Sequence, residues 1–584
     1  MASIAFGKRR AGQAAARRPA AVPCCGLALF VCAAMAAGGL PLQTSVTKDG
    51  VTWTFERPVP VGQFVNGDYY VVGPVTVTGI DPAPQTSAPF KNGSVKNLPA
   101  PNGRSSFDSR LNDGENQSGW FDPQWRVYAP VRLQPGDALV SSISLSEAKY
   151  HKVPEVMRAE DMTASPVATV SILTVLRAAA AADAFRPSYA DRHQTLYYAH
   201  DLDRKLLPSL APPDASKTPS LSRFEAWFRR PWIDLNPFLF DAPAEYMPGY
   251  GMHIALADSY VGLLLALDFP PERKVTLTNY FVQYGIDLFG SLEAGYRWPA
   301  FGGHRSGRKL PILFAGLLLH NNAMQDASSL YPDSFGEDMQ TLYINQLPPV
   351  GMHTKAWQGA AVIYGGHYGV HSDGTPVSAG LYGPYEHLEP RDWPILDPPR
   401  EQLGESYRRC CTSIAWVGEA LSARLLGAEG IWNHPAFFDY VDRWMTEDDS
   451  EAIAKIKQTS GFDYGAAWDR QGQTRVWLDG QFPQNTLVDD MWKAYRHRAS
   501  PSAPAITSAG RVTGLLRAAF STRIIATQSP TSYGVTALPA GISVNARTGL
   551  ISGSPVKTGR VLAEVWAENA QGRGVATLEI TISQ

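Results

Sequence analysis

The hydrophobic pattern of this 584-residue chain changes period twice, which restricts it to three successive blocks of different secondary structure. In the first block apolar residues recur every second position, at Val51 to Phe55, Tyr69 to Val72, Val75 to Thr78, Trp125 to Tyr128 and Ala138 to Val140. A period of two places alternate side chains on opposite faces of a strand. Gly and Pro punctuate these runs at Pro58, Pro60, Gly62, Gly67, Gly73 and Pro74, as turns between strands require. The pattern predicts a β-rich domain over 46–150, with long loops in the Gly-, Pro-, Asn- and Ser-rich stretch Asp81 to Pro123.

The second block, 160–498, reads as helical. A Ser-Pro start at Ser165 and Pro166 opens an apolar run to Ala182, read as the first helix. Further helices are predicted over Leu221–Phe228, Met252–Leu267, Arg273–Phe289, Lys309–Leu319, Ser413–Leu426 and Pro435–Met445. Several are apolar on most faces, as at Gly262 to Asp268, which suits the interior of a multi-helix assembly. An (α/α)-toroid or a less regular helical solenoid fits such an array, although no exact repeat is present.

The Ala-, Ser- and Pro-rich segment 499–505 reads as a linker. Beyond it, 506–584 carries short alternating runs at Phe520 to Ala526, Leu538 to Asn545, Gly549 to Pro555, Val561 to Ala567 and Ala576 to Ile582. Even spacing with turn residues between is the signature of a β-sandwich. The stretches Leu538 to Gly541, Thr548 to Pro555 and Ala567 to Gly572 resemble the bacterial putative-Ig (cadherin-like) repeat family, with Ile542 and Ser554 as mild departures. That resemblance implies an Ig-like secreted appendage and no catalysis. The expected fold class is therefore multidomain α+β, with a β domain, a central all-α toroid-like domain and an Ig-like sandwich.

Residues 1–37 read as a signal peptide. Lys8, Arg9, Arg10, Arg17 and Arg18 precede an apolar run from Cys24 to Ala37, with small residues at Ala34 and Ala36 for cleavage. The paired arginines also suit a twin-arginine route, and a retained anchor is the alternative. No later stretch is long and apolar enough to span a bilayer, so a secreted, periplasmic or surface location is expected, with no membrane span after cleavage. Cleavage removes Cys24, Cys25 and Cys32 and leaves the neighbours Cys410 and Cys411, either as buried thiols or closed on each other. The near balance of 52 basic and 54 acidic residues argues against nucleic acid as a partner. Oligomeric state is not readable.

The candidate chemistry lies in the helical block, which holds eight of the 12 histidines between His253 and His434. Six of these eight lie in three Gly- and Tyr-rich clusters: Tyr246 to His253, Tyr296 to Lys309, and Gly351 through His367, Tyr368 and His371 to His387. A Gly-Gly-His loop can simply be a tight turn, but the same recipe at three loops of one domain points to a site. Histidine and tyrosine exchange protons, and arginine grips a carboxylate through a planar fork. Cleaving a uronate glycan by β-elimination needs that set: a cation on the carboxylate, a base for the sugar C–H, and an acid for the leaving oxygen. The expected catalytic residues are Tyr250, His253, His304, His367 and Tyr368, with Arg305, Arg308, His371, Tyr385 and Arg408 holding substrate. The texture, including Trp432 to Trp444, resembles the (α/α)-toroid polysaccharide lyases of the heparinase and alginate-lyase groups, which implies a lyase without assigning any residue.

A glycoside hydrolase on the same scaffold would need two carboxylates, drawn from Asp258, Asp373, Glu386 and Glu389. A noncatalytic glycan- or protein-binding surface protein is the third reading. No cofactor is expected. His367 and His371, four residues apart, could hold a divalent metal on a helix, but Gly365, Gly366 and Gly369 argue against one there.

Overall fold

The computed structural model of the chain describes residues 39–85, 91–100, 103–112, 121–149, 165–235, 244–248, 250–395, 404–464, 486–496, 504, 506, 508, 510–526, 530–569 and 572–584. The expected signal peptide and most of the 499–505 linker lie outside the described residues. A strand-rich region comes first, a helical region follows, and strands return at the C-terminus.

Eight strands form the first sheet: β1 (Leu42–Lys48), β2 (Val51–Gln63), β3 (Tyr69–Val72), β4 (Val75–Asp81), β5 (Ser94–Lys96), β6 (Val131–Leu133), β7 (Ala138–Lys149) and β8 (Ser165–Leu176). Their order is β5-β7-β8-β3-β2-β4-β6, with β1 on β2. All pairs are antiparallel except β3 with β8. The long β2 bonds β4 along its first half, β3 at its end and β1 at intervals from Val51 to Pro60, so the sheet curls over one core of Trp53, Phe55, Val77, Leu133, Leu139 and Leu173.

Two readings of the sequence are corrected here. Ser165–Leu176 is a strand and not the start of the helix expected to run to Ala182, and it extends the β region past 150. Its Val167, Val170 and Ile172 enter the helical core while Leu173 and Val175 enter the β core. A strand buried on both faces loses its alternation, which leaves β-branched content as its only local signal. The stretch Trp125 to Tyr128 is not a strand either: Asp122 accepts from the Gln124 backbone N–H and starts a 3-10 turn at Pro123.

The helical region holds α1 (Leu221–Phe228), α2 (Gly251–Leu265), α3 (Pro271–Glu293) and α4 (Lys309–Leu318), followed by shorter pieces and the helices Ser413–Leu425 and Pro435–Thr446. Helix α2 is buried along its whole length, packed between α3 and Ser413–Leu425, as its all-round apolar sequence requires. Buried Arg186 ties the β and helical regions together, donating to Asp68 at 2.8 Å and to Asp287 of α3 at 2.5 Å.

The C-terminal strands are β11 (Arg511–Leu515), β12 (Phe520–Arg523), β13 (Ser532–Val535), β14 (Ile542–Val544), β15 (Leu550–Gly553), β16 (Gly559–Asn569) and β17 (Gly572–Ser583), numbered after the short pair β9 (Thr341–Tyr343) and β10 (Val362–Tyr364). They form two sheets, β11-β17-β16-β13 and β12-β15-β14, over a core that includes Phe520, Ile551, Val565 and Ile580. Gly541 explains the Leu-Pro-Ala-Gly turn: its φ is +93°, and a Cβ there would lie 2.2 Å from the Ser554 carbonyl oxygen. Arg523 pairs with Asp326, docking this module on the helical region.

Candidate functional site

Three loops and one helix start bring aromatic and histidine rings together in the helical region. Tyr250 sits at the N-cap of α2 and His253 in its first turn. His304 lies in the loop between α3 and α4, and its ring is 4.7 Å from that of Tyr250. His367 and Tyr368 follow β10, with ring centroids 4.7 Å apart. Phe301 bridges the two loops, 5.2 Å from His304, 5.0 Å from His367 and 5.2 Å from Tyr368. Tyr407 closes the cluster at 4.6 Å from His367 and 6.4 Å from His304, and Tyr382 flanks Tyr368 at 5.2 Å.

Backbone bonds hold these loops in register. The Gly302 N–H donates to the His367 carbonyl at 2.7 Å, and Gln340 Nε2 donates to the carbonyls of Gly366 and His367 at 3.2 Å each. Gly303 permits the closest approach: a Cβ there would sit 2.1 Å from the Cys411 carbonyl oxygen and 2.5 Å from Tyr250 Oη. Cys410 and Cys411 are joined in a disulfide, in a buried π-helical turn that follows Tyr407.

The cluster is graded in depth. His253, His304, His367 and Tyr250 are buried, whereas Phe301, Tyr368, Tyr382 and Tyr407 are partly exposed. Burial pushes the His367 pKa down to about 4, and its Nδ1 is buried with no hydrogen-bond partner. Burial acts on the tyrosines in the opposite sense. It lifts Tyr407 to about 12, raises Tyr368, and raises Tyr250 well above its ordinary value. At neutral pH, His367 is a neutral imidazole with a vacant lone pair or N–H, and its tyrosine neighbours keep their protons.

The expected catalytic five, Tyr250, His253, His304, His367 and Tyr368, are thus neighbours. The expected substrate-binding five are engaged with other partners. Arg308 is buried and forks onto Asp234 at 2.6 and 3.0 Å. Arg408 is buried and forks onto Glu405 at 2.8 Å through both Nε and Nη2, and Tyr385 donates to the same carboxylate at 2.8 Å. Arg308 and Arg408 are therefore corrected from ligand-facing groups to interior ion-pair members, and Tyr385 to a buried hydrogen-bond donor on one of the same carboxylates. Exposed His371 bonds Asp333 at 3.2 Å. Half-buried Arg305 donates to the Arg297 carbonyl at 3.3 Å. Of the carboxylates considered for hydrolysis, Asp258 is buried inside α2, Glu386 is buried against Arg443, and Asp373 and Glu389 are exposed, the former accepting from the Thr375 N–H. Among the described residues no three metal-ligating side chains converge, and no helix is long and apolar enough to cross a membrane. Sequence reasoning missed Phe301, Tyr382 and Tyr407 as members; the first two stand inside the Gly- and Tyr-rich clusters, while no spacing pointed to Tyr407.

With this geometry set, likeness to known proteins can be placed on the chain. Residues 498–583 match the family described as Putative Ig domain. The module is therefore Ig-like by both sequence and sheet order. No curated protein matches the chain. Among solved structures, a putative alpha-galactosidase from Bacteroides fragilis aligns at 28% identity over 14% of this chain and 18% of its own, with a TM-score of 0.14. An endo-fucoidan hydrolase from glycoside hydrolase family 107 aligns at 17% identity over 18% of this chain and 20% of its own, also at 0.14. The chain thus covers about a fifth of those proteins, and the likeness does not extend to a shared overall fold.

Proposed function

We propose that the chain is an exported enzyme acting on a polysaccharide, an acidic-glycan lyase with its site at the ring cluster of an (α/α)-toroid-like helical domain. The observation that carries this reading is His367, a buried, neutral histidine with an unpartnered ring nitrogen among protonated tyrosines. In β-elimination a base removes the proton beside the uronate carboxylate, a carbon–carbon double bond forms, and the bond to the glycosidic oxygen breaks. His367 Nδ1 takes that proton, and the phenol of Tyr368 at the partly exposed rim donates to the leaving oxygen. The raised tyrosine pKa values favour this division of labour, because a phenol that holds its proton is an acid and not a base. The rim rings of Phe301, Tyr382 and Tyr407 offer flat apolar faces to sugar rings. His253, His304 and Tyr250 line the floor and orient the substrate.

A hydrolase with paired carboxylates gains no support from Asp258, which lies within the buried α2, or from Glu386, which is paired with Arg443. The test is incubation with a panel of uronate polysaccharides while following ultraviolet absorbance of the unsaturated product. Absorbance with chain scission supports the lyase. Reducing ends without absorbance would move the assignment to a hydrolase, and no product of either kind would leave a binding protein.

A further inference from the structure

The first sheet carries a second recess, far in sequence from the ring cluster. It has a volume of about 230 Å³ and is lined by Glu56, Arg57, Thr76 and Arg132 together with Val59 and the Pro74–Val75 turn. Its origin lies in β2. Inward positions alternate through Val51, Trp53 and Phe55 and resume at Val59 and Val61, but Arg57, which falls on the same register, is exposed. A bulge against β4 lies between Thr54 and Phe55, just before this break. Arg132 on β6 pairs in register with Thr76 on β4, and both belong to the recess wall.

Six arginines of the helical region contrast with these two. Arg186, Arg308, Arg408, Arg409, Arg424 and Arg443 are each locked to carboxylates. Arg57 and Arg132 make no hydrogen bond or ion pair among the described residues, and both are exposed residues lining the same recess. A fork binds a carboxylate or sulfate through two parallel N–H donors. The volume falls just under the range of about 300–1,000 Å³ used for larger ligands, so it admits one monosaccharide-sized group. Glu56 decides the ligand class further. Its carboxylate accepts hydroxyl protons but repels a continuous chain of phosphates, and the Thr76 hydroxyl can serve a second sugar hydroxyl.

We infer that this recess is an anchoring site for one anionic sugar unit, its oxyanion on Arg57 and Arg132 and its hydroxyls toward Glu56 and Thr76. It is separate from the proposed catalytic cluster and stands whether or not that cluster turns substrate over. Exposure and ionic screening make the binding weak and salt-dependent. The test is isothermal titration calorimetry of the full chain with a uronate oligosaccharide, a sulfated oligosaccharide and a neutral one, at low and high salt. Wild type is compared with Arg57→Ala/Arg132→Ala and with Arg132→Lys, with melting temperature as a fold control and turnover measured in parallel. The inference expects binding of at least one anionic oligosaccharide, weakened about tenfold in the double variant and by salt, with melting and turnover unchanged. The Lys variant should retain part of it, because a point charge replaces the fork. Equal binding by the double variant, or tighter binding of the neutral oligosaccharide, would overturn it. Which anionic arm binds decides between a carboxylate and a sulfate ester.

Discussion

Lowering the pH separates His367 from an ordinary histidine. Its ordinary pKa is 6.5 and burial holds it at about 4. At about pH 5.5 a histidine of pKa 6.5 is only about a tenth unprotonated, while one of pKa about 4 remains almost wholly so, a roughly tenfold difference in available base. The acid limb of kcat/KM, which reports the free enzyme, should therefore fall near pH 4 and not near 6.5. The same shift bears on stability. A histidine whose folded pKa is depressed contributes stability that is present above the unfolded value, and that stability is lost as pH falls from 6.5 through about 4. Two and a half units at 1.36 kcal/mol each amount to about 3 kcal/mol. Stopped turnover assays across pH, paired with urea titrations of wild type and His367→Gln, measure both effects. An acid limb near 6.5, or acid lability unchanged by His367→Gln, would refute the assignment of His367 as a buried neutral base.

Three other outcomes follow from the packing. Arg186→Ala strips the partner from buried Asp68 and Asp287 at the junction of the β and helical regions, and should cost about 3–5 kcal/mol in chemical denaturation. Gly303→Ala drives a methyl group into the Cys411 carbonyl and Tyr250 Oη; a loss of about 1–3 kcal/mol should appear as a lower melting temperature, with a larger fall in turnover because His304 shifts with it. Asp258 is buried with neither carboxylate oxygen hydrogen-bonded, and burial raises its pKa well above the ordinary value. A raised carboxyl contributes stability at low pH that is lost as pH rises, so Asp258→Asn should narrow the gap between melting temperatures at about pH 5 and pH 8.

What the sequence revealed depended on how local its physical cause was. Helices α1 to α4, Ser413–Leu425 and Pro435–Thr446 stood within a few residues of their expected ends, because helical period and length are local properties. The Ig-like turns were legible for the same reason, since Gly541 is demanded by its own backbone angle and the nearby Ser554 carbonyl. Strand β8 was not, because its two-faced burial depends on α-helical packing contributed by residues far along the chain. The fate of the arginines was likewise nonlocal. Arg308 is committed by Asp234, 74 residues earlier, and nothing near Arg308 in sequence announces that carboxylate. Arg408 is the exception, since Glu405 stands three residues before it, at the i,i+3 spacing that pairs charges on a helix. The histidine loops gathered at one place because Gly302, Gly303 and Gly366 let backbones approach where a Cβ would collide.

The proposed β-elimination at the ring cluster rests on His367 as the base. The most direct measurement is the ultraviolet absorbance of unsaturated product from wild type and His367→Ala, each confirmed folded, on the uronate polysaccharide that wild type cleaves fastest. Absorbance should rise with chain scission in wild type, with a rate about 10²–10⁴-fold lower in the variant. Chain scission without absorbance, or equal rates in the two proteins, would contradict it.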